Sequence, residues 1–436
     1  MIAFFARRLA APAIVLLASS LPAFAADEKP LDMASTAWLL TATALVLFMT
    51  LPGLALFYAG LVRARNALSV LMHCVVIAAL MSVLWLAFGY SLAFSDGGQN
   101  QAWIGGLDRA FLTGITADTL KDGIPEAVFF MFQATFAIIT PALIVGAYPE
   151  RIKFSAVVWF SGLWLLLVYV PVCHWIWGGG WLAEAGVIDF AGGLVVHVTA
   201  GMAAVAAALM VGRRRDFPHE PILPHNPGMT ATGAGMLWVG WYGFNAGSAL
   251  AANGSAGMAL LATHMSAAAG ALTWMGIEWL RHGRPSLVGT VTGLIAGLAT
   301  ITPAAGVAGP VGGLVAGFCG GVICFSVTAL LKQRLKLDDS LDVCAVHGVG
   351  GALGILLVAV IGQPGFGGSG FAEGVDAMGQ LGSQLLGLLV TAAWAGGMSW
   401  AILALLRITG GLRVSEEEEF DGLDITTHGE RAYDLR

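Results

Sequence analysis

Charge is scarce in this 436-residue chain. Asp, Glu, Lys and Arg make up 11% of it, where a soluble domain carries roughly 25%. With 57% apolar residues and a mean hydropathy of +0.80, a water-soluble fold of this length is excluded, so the solvent for most of the chain is lipid. No basic cluster is long enough, or interleaved with enough aromatics, to suit nucleic acid, and the net charge of −6 is dominated by the C-terminal tail. Cysteine is also scarce. Cys74, Cys173, Cys319, Cys324 and Cys344 all fall in apolar segments, with no C-x-x-C pair and no zinc-type spacing. They read as small core residues, so no metal and no cofactor is expected. Glycine, by contrast, is abundant at 59 residues, as suits helices that approach closely in a bilayer.

Residues 1–25 have the layout of a cleavable secretory signal: Arg7 and Arg8, an apolar run from Leu9 to Leu21, then Ala23-Phe24-Ala25 as a small-x-small cleavage site. An uncleaved first helix is the alternative. Cleavage leaves the mature N-terminus outside. Beyond it, apolar stretches alternate with short polar joints. They predict an all-α membrane protein with about eleven spans, at 35–61, 69–94, 125–147, 155–175, 191–211, 227–247, 256–280, 286–302, 306–331, 343–361 and 379–407. The joints at 248–255 and 303–305 are thin. With the N-terminus outside, the inner joints hold fourteen Lys and Arg residues (Arg63, Arg65, Arg151 and Arg213–Arg215 among them). The outer segments hold Lys29, Arg109 and Lys121. That asymmetry fits a C-terminus in the cytoplasm and divides the chain into a signal (1–25), a transmembrane domain (26–407) and a cytoplasmic tail (408–436).

An internal repeat emerges when two intramembrane histidines are aligned. Asp189-Phe-Ala-Gly-Gly-Leu-Val-Val-His197 opens the fifth span and Asp339-Ser-Leu-Asp-Val-Cys-Ala-Val-His347 opens the tenth. Five spans separate them, so the two copies cross in opposite directions. That is an inverted repeat of two five-helix halves plus a C-terminal helix, with a site expected near the midplane.

His197 and His347 are expected six to eight residues into their helices, where an ionisable group faces a cavity or a partner. A neutral imidazole has one donor and one acceptor, so two facing rings can share a hydrogen bond and still present a polar edge to a small solute. Two separately satisfied core histidines are the alternative. Asp189 stands at the start of the fifth helix, where it can cap backbone amides, attract a cation near a pore mouth, or both. Asp339 suits a cap in the same way, and Asp342 lies deeper. Phe132 and Phe136 share a helix face, as do Trp241, Phe244 and Ser248; packing is the default use of each.

Several stretches also match a family, in order over nearly the whole mature chain. They are Leu47-Phe-Met-Thr-Leu-Pro-Gly-Leu-Ala-Leu-Phe-Tyr58-Ala-Gly-Leu, Phe132-Gln-Ala-Thr-Phe136, Trp177-Gly-Gly-Gly, Asp189-Phe-Ala-Gly-Gly, Val196-His197, Gly240-Trp-Tyr-Gly-Phe244-Asn-Ala-Gly-Ser248, Asp342-Val-Cys-Ala-Val-His347-Gly and Phe371-Ala-Glu-Gly. With these the chain resembles the bacterial ammonium transporters of the ammonium transporter/Rhesus family. Residues 95–124 match poorly, and no function is drawn from them.

The resemblance implies a transporter of ammonium or ammonia in the inner membrane, not an enzyme, with no catalytic residue. It implies an outer recruitment site at Trp177, Phe136 and Ser248, a gate at Phe136 and Phe244, twin pore histidines His197 and His347, and two aspartates, Asp189 and Asp342, the second linked to proton movement. It further implies a homotrimer with one pore per subunit. Gly411-Leu-Arg-Val, Gly422-Leu-Asp and His428-Gly-Glu-Arg-Ala-Tyr433 resemble the family's tail, which implies a PII-type signalling protein as partner. For the acidic run Glu416–Glu419, a solvated tail is the alternative. The mechanism expected is capture of the cation, loss of a proton at the gate and passage of neutral ammonia past the imidazoles. Two other readings compete. One is a membrane sensor that binds ammonium and signals through the tail. The other is an electron carrier holding haem between His197 and His347.

Overall fold

The computed structural model describes residues 29–220 and 222–433. The signal expected at 1–25 lies outside the described residues. Long helical segments follow one another as α1 (Met33–Leu61), α2 (Ala64–Phe94), α3 (Glu126–Ala147), α4 (Phe154–Glu184), α5 (Gly193–Val211), α6 (Pro227–Gly247), α7 (Gly254–His282), α8 (Leu287–Ala304), α9 (Pro310–Arg334), α10 (Cys344–Ile361) and α11 (Ala377–Thr409). Ten of these are long and apolar enough to cross a membrane on length and composition alone. The eleventh, α6, is 21 residues long and rich in glycine and threonine, so its own composition says less about lipid. The joint expected at 248–255 is a real break, while the one expected at 303–305 falls slightly later, at 305–309. Asn253 caps α7 by accepting from the Ser255 and Ala256 amides, and Pro310 starts α9. The fourth segment runs past the expected 175, because the chain turns at 178–180 and adds a short helical turn before the fifth.

Among the described residues the only sheet is a hairpin, β1 (Leu120–Lys121) with β2 (Ile124–Pro125). Its two-residue turn is Asp122-Gly123, both at positive φ (54° and 87°). An Asp-Gly pair favours this kind of turn between antiparallel strands.

The core lies where α5 and α10 cross. Small residues set that crossing: a Cβ added to Gly201 would stand 2.2 Å from the Gly348 Cα, and one on Gly351 would stand 2.7 Å from the His197 Cβ. Around this pair, α1 packs along α6, α7 along α8 and α9, and α11 along α5.

The face of the bundle that carries the tail is tied together by a buried ionic cluster. Arg151, fully buried, donates to the carbonyls of Ala147, Pro149, Gly212 and Asp338 and to Ser340 Oγ. Asp338 pairs with Arg214 at 2.8 Å, and Glu150 accepts from the Arg63 amide at 2.7 Å. Joints distant in sequence thus meet in one network, and unpaired charges there would be costly. The tail docks against the same face through α12 (Glu416–Asp421) and α13 (Leu423–His428). Asp424 accepts from the Leu68 and Ser69 amides at 3.1 and 2.8 Å, capping α2, while the Leu423 amide donates to Asn66 Oδ1 at 2.8 Å. The acidic run is helical: Ser415 and Glu418 form a capping box at the start of α12, and Glu419 pairs with Arg413. The run is thus ordered rather than a disordered tail, although Glu416 and Glu417 are exposed to solvent.

Candidate functional site

The two histidine-bearing helices begin in the same unusual way. Each opens on a π-helical turn, Gly193–Val198 in α5 and Cys344–Val349 in α10. Each is preceded by a non-helical approach with a positive φ, at Gly192 (114°) and at Asp342 (64°). Of the two, α5 starts later than hydropathy suggests, and His197 and His347 are the fifth and fourth residues of Gly193–Val211 and Cys344–Ile361, nearer the helix starts than the six to eight residues expected. Wide turns of this kind are frequent at functional sites.

Asp189, buried, sits at the head of α5 and accepts from four successive amides, those of Gly192, Gly193, Leu194 and Val195. Its own carbonyl accepts from Trp177 Nε1 at 2.8 Å. At the head of α10, Asp339 plays the equivalent part and accepts from the Cys344 amide at 2.7 Å. Asp342 lies one turn nearer the helix and instead pairs with Lys332 at 2.8 Å.

These helix starts bring the two imidazoles together. Their Nδ1 atoms are 3.3 Å apart, and the ring centroids 5.2 Å, at an interplanar angle of 26°. Either ring can be the donor. Axial imidazoles on opposite faces of a haem iron, each at about 2 Å, would need ligating nitrogens about 4 Å apart, so this facing pair does not suit a haem. Trp241 stacks on His197 at 5.6 Å, held by its Nε1 donating to Thr302 Oγ1 at 2.9 Å.

Three cavities line up through this point. On the face where the described chain starts, one of 280 Å³ is lined by Phe94, Phe129, Phe136, Trp177 and Ser248. A chamber of about 10 Å³ follows, lined by Phe244, Trp241, His197 and His347 and otherwise by apolar side chains such as Ile139 and Leu237. That is about the space of a single water. A third cavity of 200 Å³ opens toward the tail face, lined by His347, Tyr58, Lys332 and Asp342 among others. Between the first two stand Phe136 and Phe244, both buried, with centroids 4.4 Å apart. Trp177 meets the edge of Phe136 at 5.6 Å and 86°, and Ser248 Oγ donates to the Phe244 carbonyl at 2.8 Å.

The structure thus brings Trp177, Phe136, Ser248 and Phe244 together on one side of the histidine pair. Asp189 lies beneath that first group, and Asp342 lies on the far side. Three neighbours were not anticipated. Trp241 carried only a helix-face signal. Lys332 and Thr302 carried none, because their partners come from distant spans.

Comparison with known proteins resolves what this arrangement belongs to. The model of the Ammonium Transporter Family matches residues 37–433. An ammonium transporter of Aquifex aeolicus is 44% identical over 415 residues, covering 94% of this chain and 96% of that protein. One of Bacillus subtilis is 41% identical over 408 residues, covering 92% and 99%. The chain belongs to the ammonium transporter family. Among solved structures, the transporter superposes on a sensor Amt protein with a TM-score of 0.84 at 31% identity, covering 90% of this chain and 98% of that one. It superposes on Mep2 of Saccharomyces cerevisiae with a TM-score of 0.81 at 34% identity, covering 89% of each. It is a multi-pass membrane protein that transports ammonium, and not an enzyme.

Proposed function

We propose that the transporter captures ammonium as a cation in the cavity lined by Trp177, Phe136 and Ser248 and passes it as neutral ammonia between His197 and His347. One observation carries the reading: a chamber of about 10 Å³ bordered by both imidazoles, closed from the larger vestibule by Phe136 and Phe244. Ring faces of Trp177 and Phe136 suit a small cation, a contact worth about 0.5–2 kcal/mol. The Ser248 hydroxyl oxygen can accept one N–H while its own O–H goes on donating to the Phe244 carbonyl. Below the phenylalanines the lining is apolar apart from the imidazoles, and a bare cation there would cost many kcal/mol. Shedding one proton removes that cost. Potassium, similar in charge and size, has no proton to shed and donates no hydrogen bond, which accounts for selection against it.

We place the Trp177 side outside the cell and the tail in the cytoplasm, of an inner membrane, on the basic residues clustered at the tail face. Tagging the C-terminus and testing its protease access in intact cells checks this; cleavage from outside refutes it. A homotrimer with a PII-type partner at the tail face is part of the same reading. Native mass spectrometry reporting monomers only counts against the trimer. A pull-down with no PII-type protein, at low 2-oxoglutarate, counts against the partner.

The central test uses vesicles containing the purified protein. Replacing His197 with Ala removes half of the imidazole pair and leaves a folded protein with altered ammonium flux or altered exclusion of potassium. Flux and selectivity identical to those of the parent remove the histidines from the path. Current under a membrane potential on adding ammonium shows that the proton follows; silence shows that ammonia crosses alone.

A further inference from the structure

The segment between α2 and α3, to which no role is assigned above, carries an ammonium group of its own. The Asp122-Gly123 turn fixes the hairpin, and the Asp32 amide donates to the Gly123 carbonyl at 2.9 Å, anchoring the turn to the start of α1. Held this way, Lys121 Nζ lies 4.7 Å from the centroid of Phe129, 5.2 Å from Phe94 and 6.0 Å from Tyr90. Phe94 and Phe129 also wall the 280 Å³ cavity. The carboxylates whose charge it feels are engaged elsewhere: Glu126 accepts from the Tyr90 hydroxyl at 2.8 Å and faces Arg109 at 4.0 Å, and Asp122 faces Lys29 at 3.7 Å. Among the described residues the Lys121 ammonium has no carboxylate within ion-pair distance and no hydrogen bond; rings take that place. Partial burial lowers its proton affinity below that of an ordinary lysine, a pull that Glu126 and Asp122 oppose.

We infer that Lys121 is an affinity-setting residue for cation entry, a tethered ammonium that occupies the aromatic cage of Tyr90, Phe94 and Phe129 and opposes the arrival of a second cation in the adjoining vestibule. This inference rests on the reading of that vestibule as the site of capture. The opposition has two physical sources. Like charges repel across a water-filled cavity, and the π-density of Phe94 and Phe129 that would attract an arriving cation already faces one. Across a water-filled vestibule that screens the field, one unit charge is expected to change occupancy by roughly two- to fourfold. The protein thereby gives up some affinity at the mouth.

Ammonium uptake into vesicles should be followed for the parent, Lys121→Met, Lys121→Arg and Trp177→Ala. Methionine keeps the apolar stem, so the hairpin persists. Lys121→Met is expected to lower the half-saturating ammonium concentration two- to fourfold at low ionic strength, with the difference shrinking as salt is raised and the maximal rate unchanged. Lys121→Arg, which keeps the charge over the rings, is expected to match the parent. An unchanged or raised half-saturation in Lys121→Met, or an equal shift in Lys121→Arg, overturns the inference. Trp177→Ala separates the two claims. A raised half-saturation there supports capture in this vestibule whatever Lys121 does. No change there removes the capture reading, while the role of Lys121 is still decided by its own charge-dependent shift.

Discussion

At the scale of single residues, Asp189 decides between two uses that the sequence leaves open. Its carboxylate accepts from four consecutive buried amides, so the head of α5 has no other means of satisfying them in the interior. Charge-assisted caps are stronger than neutral ones, and each buried N–H left bare costs about 1–3 kcal/mol. Asp189→Ala is therefore expected to cost about 3 kcal/mol or more, after some relaxation of the turn. Asp189→Asn keeps one acceptor oxygen but turns an NH₂ toward two of the donors, and should fall between Ala and the parent. Thermal midpoints of the detergent-solubilised variants, read by size-exclusion, test the order. Equal midpoints in Ala, Asn and parent would leave Asp189 only its long-range pull on a cation. That Asp189 starts the helix was legible from an Asp ahead of an apolar run. That it holds four amides was not, because this depends on Gly192 turning to positive φ, which a string of letters does not display.

Among the elements, the spans were mostly legible. Hydropathy predicted 227–247 for α6 and 343–361 for α10, against Pro227–Gly247 and Cys344–Ile361 in the structure. What stayed hidden was the start of α5, predicted at 191 and found at Gly193, and the π-turns that follow in both halves. A wide turn changes the registry of a helix without changing its composition. Its consequence is large, because it helps bring the two imidazoles edge to edge at the crossing of α5 and α10. The crossing in turn depends on Gly201, whose hydrogen faces the Gly348 Cα. Gly201→Ala forces the two helices apart, and such overpacking costs about 1–3 kcal/mol. The atoms nearest the added methyl belong to Gly348, which lines none of the three cavities. It is expected to lower ammonium flux several-fold while Gly235→Ala, at a site with open space around it, leaves flux as it was. Full transport by Gly201→Ala would mean that the imidazole pair does not depend on this contact.

For the molecule as a whole, the joints of the tail face matter as much as the spans. Composition predicts that Arg and Lys gather there, but not that Arg151 is buried outright or that its partners come from residues 147, 149, 212, 338 and 340. Those contacts join segments nearly 200 residues apart, and no local pattern encodes them. Asp338 is the carboxylate on which they converge. Burial alone would raise its pKa, but Arg151 and Arg214 outweigh that and hold it down to about 2. A carboxylate whose folded value lies below its unfolded one stabilises the fold at every pH above the unfolded value, and that stabilisation disappears as pH falls through the folded value. From an ordinary 3.8 to about 2, the difference corresponds to about 2 kcal/mol. It is present above pH 4 and lost between pH 4 and pH 2. Melting midpoints of the solubilised protein should therefore fall steeply across that window. Asp338→Asn should start lower at pH 6 and follow a shallower slope on acidification, because the group that loses its charge is already neutral. If parent and variant run parallel down to pH 2, the acid sensitivity lies elsewhere and the cluster does not hold the joints together.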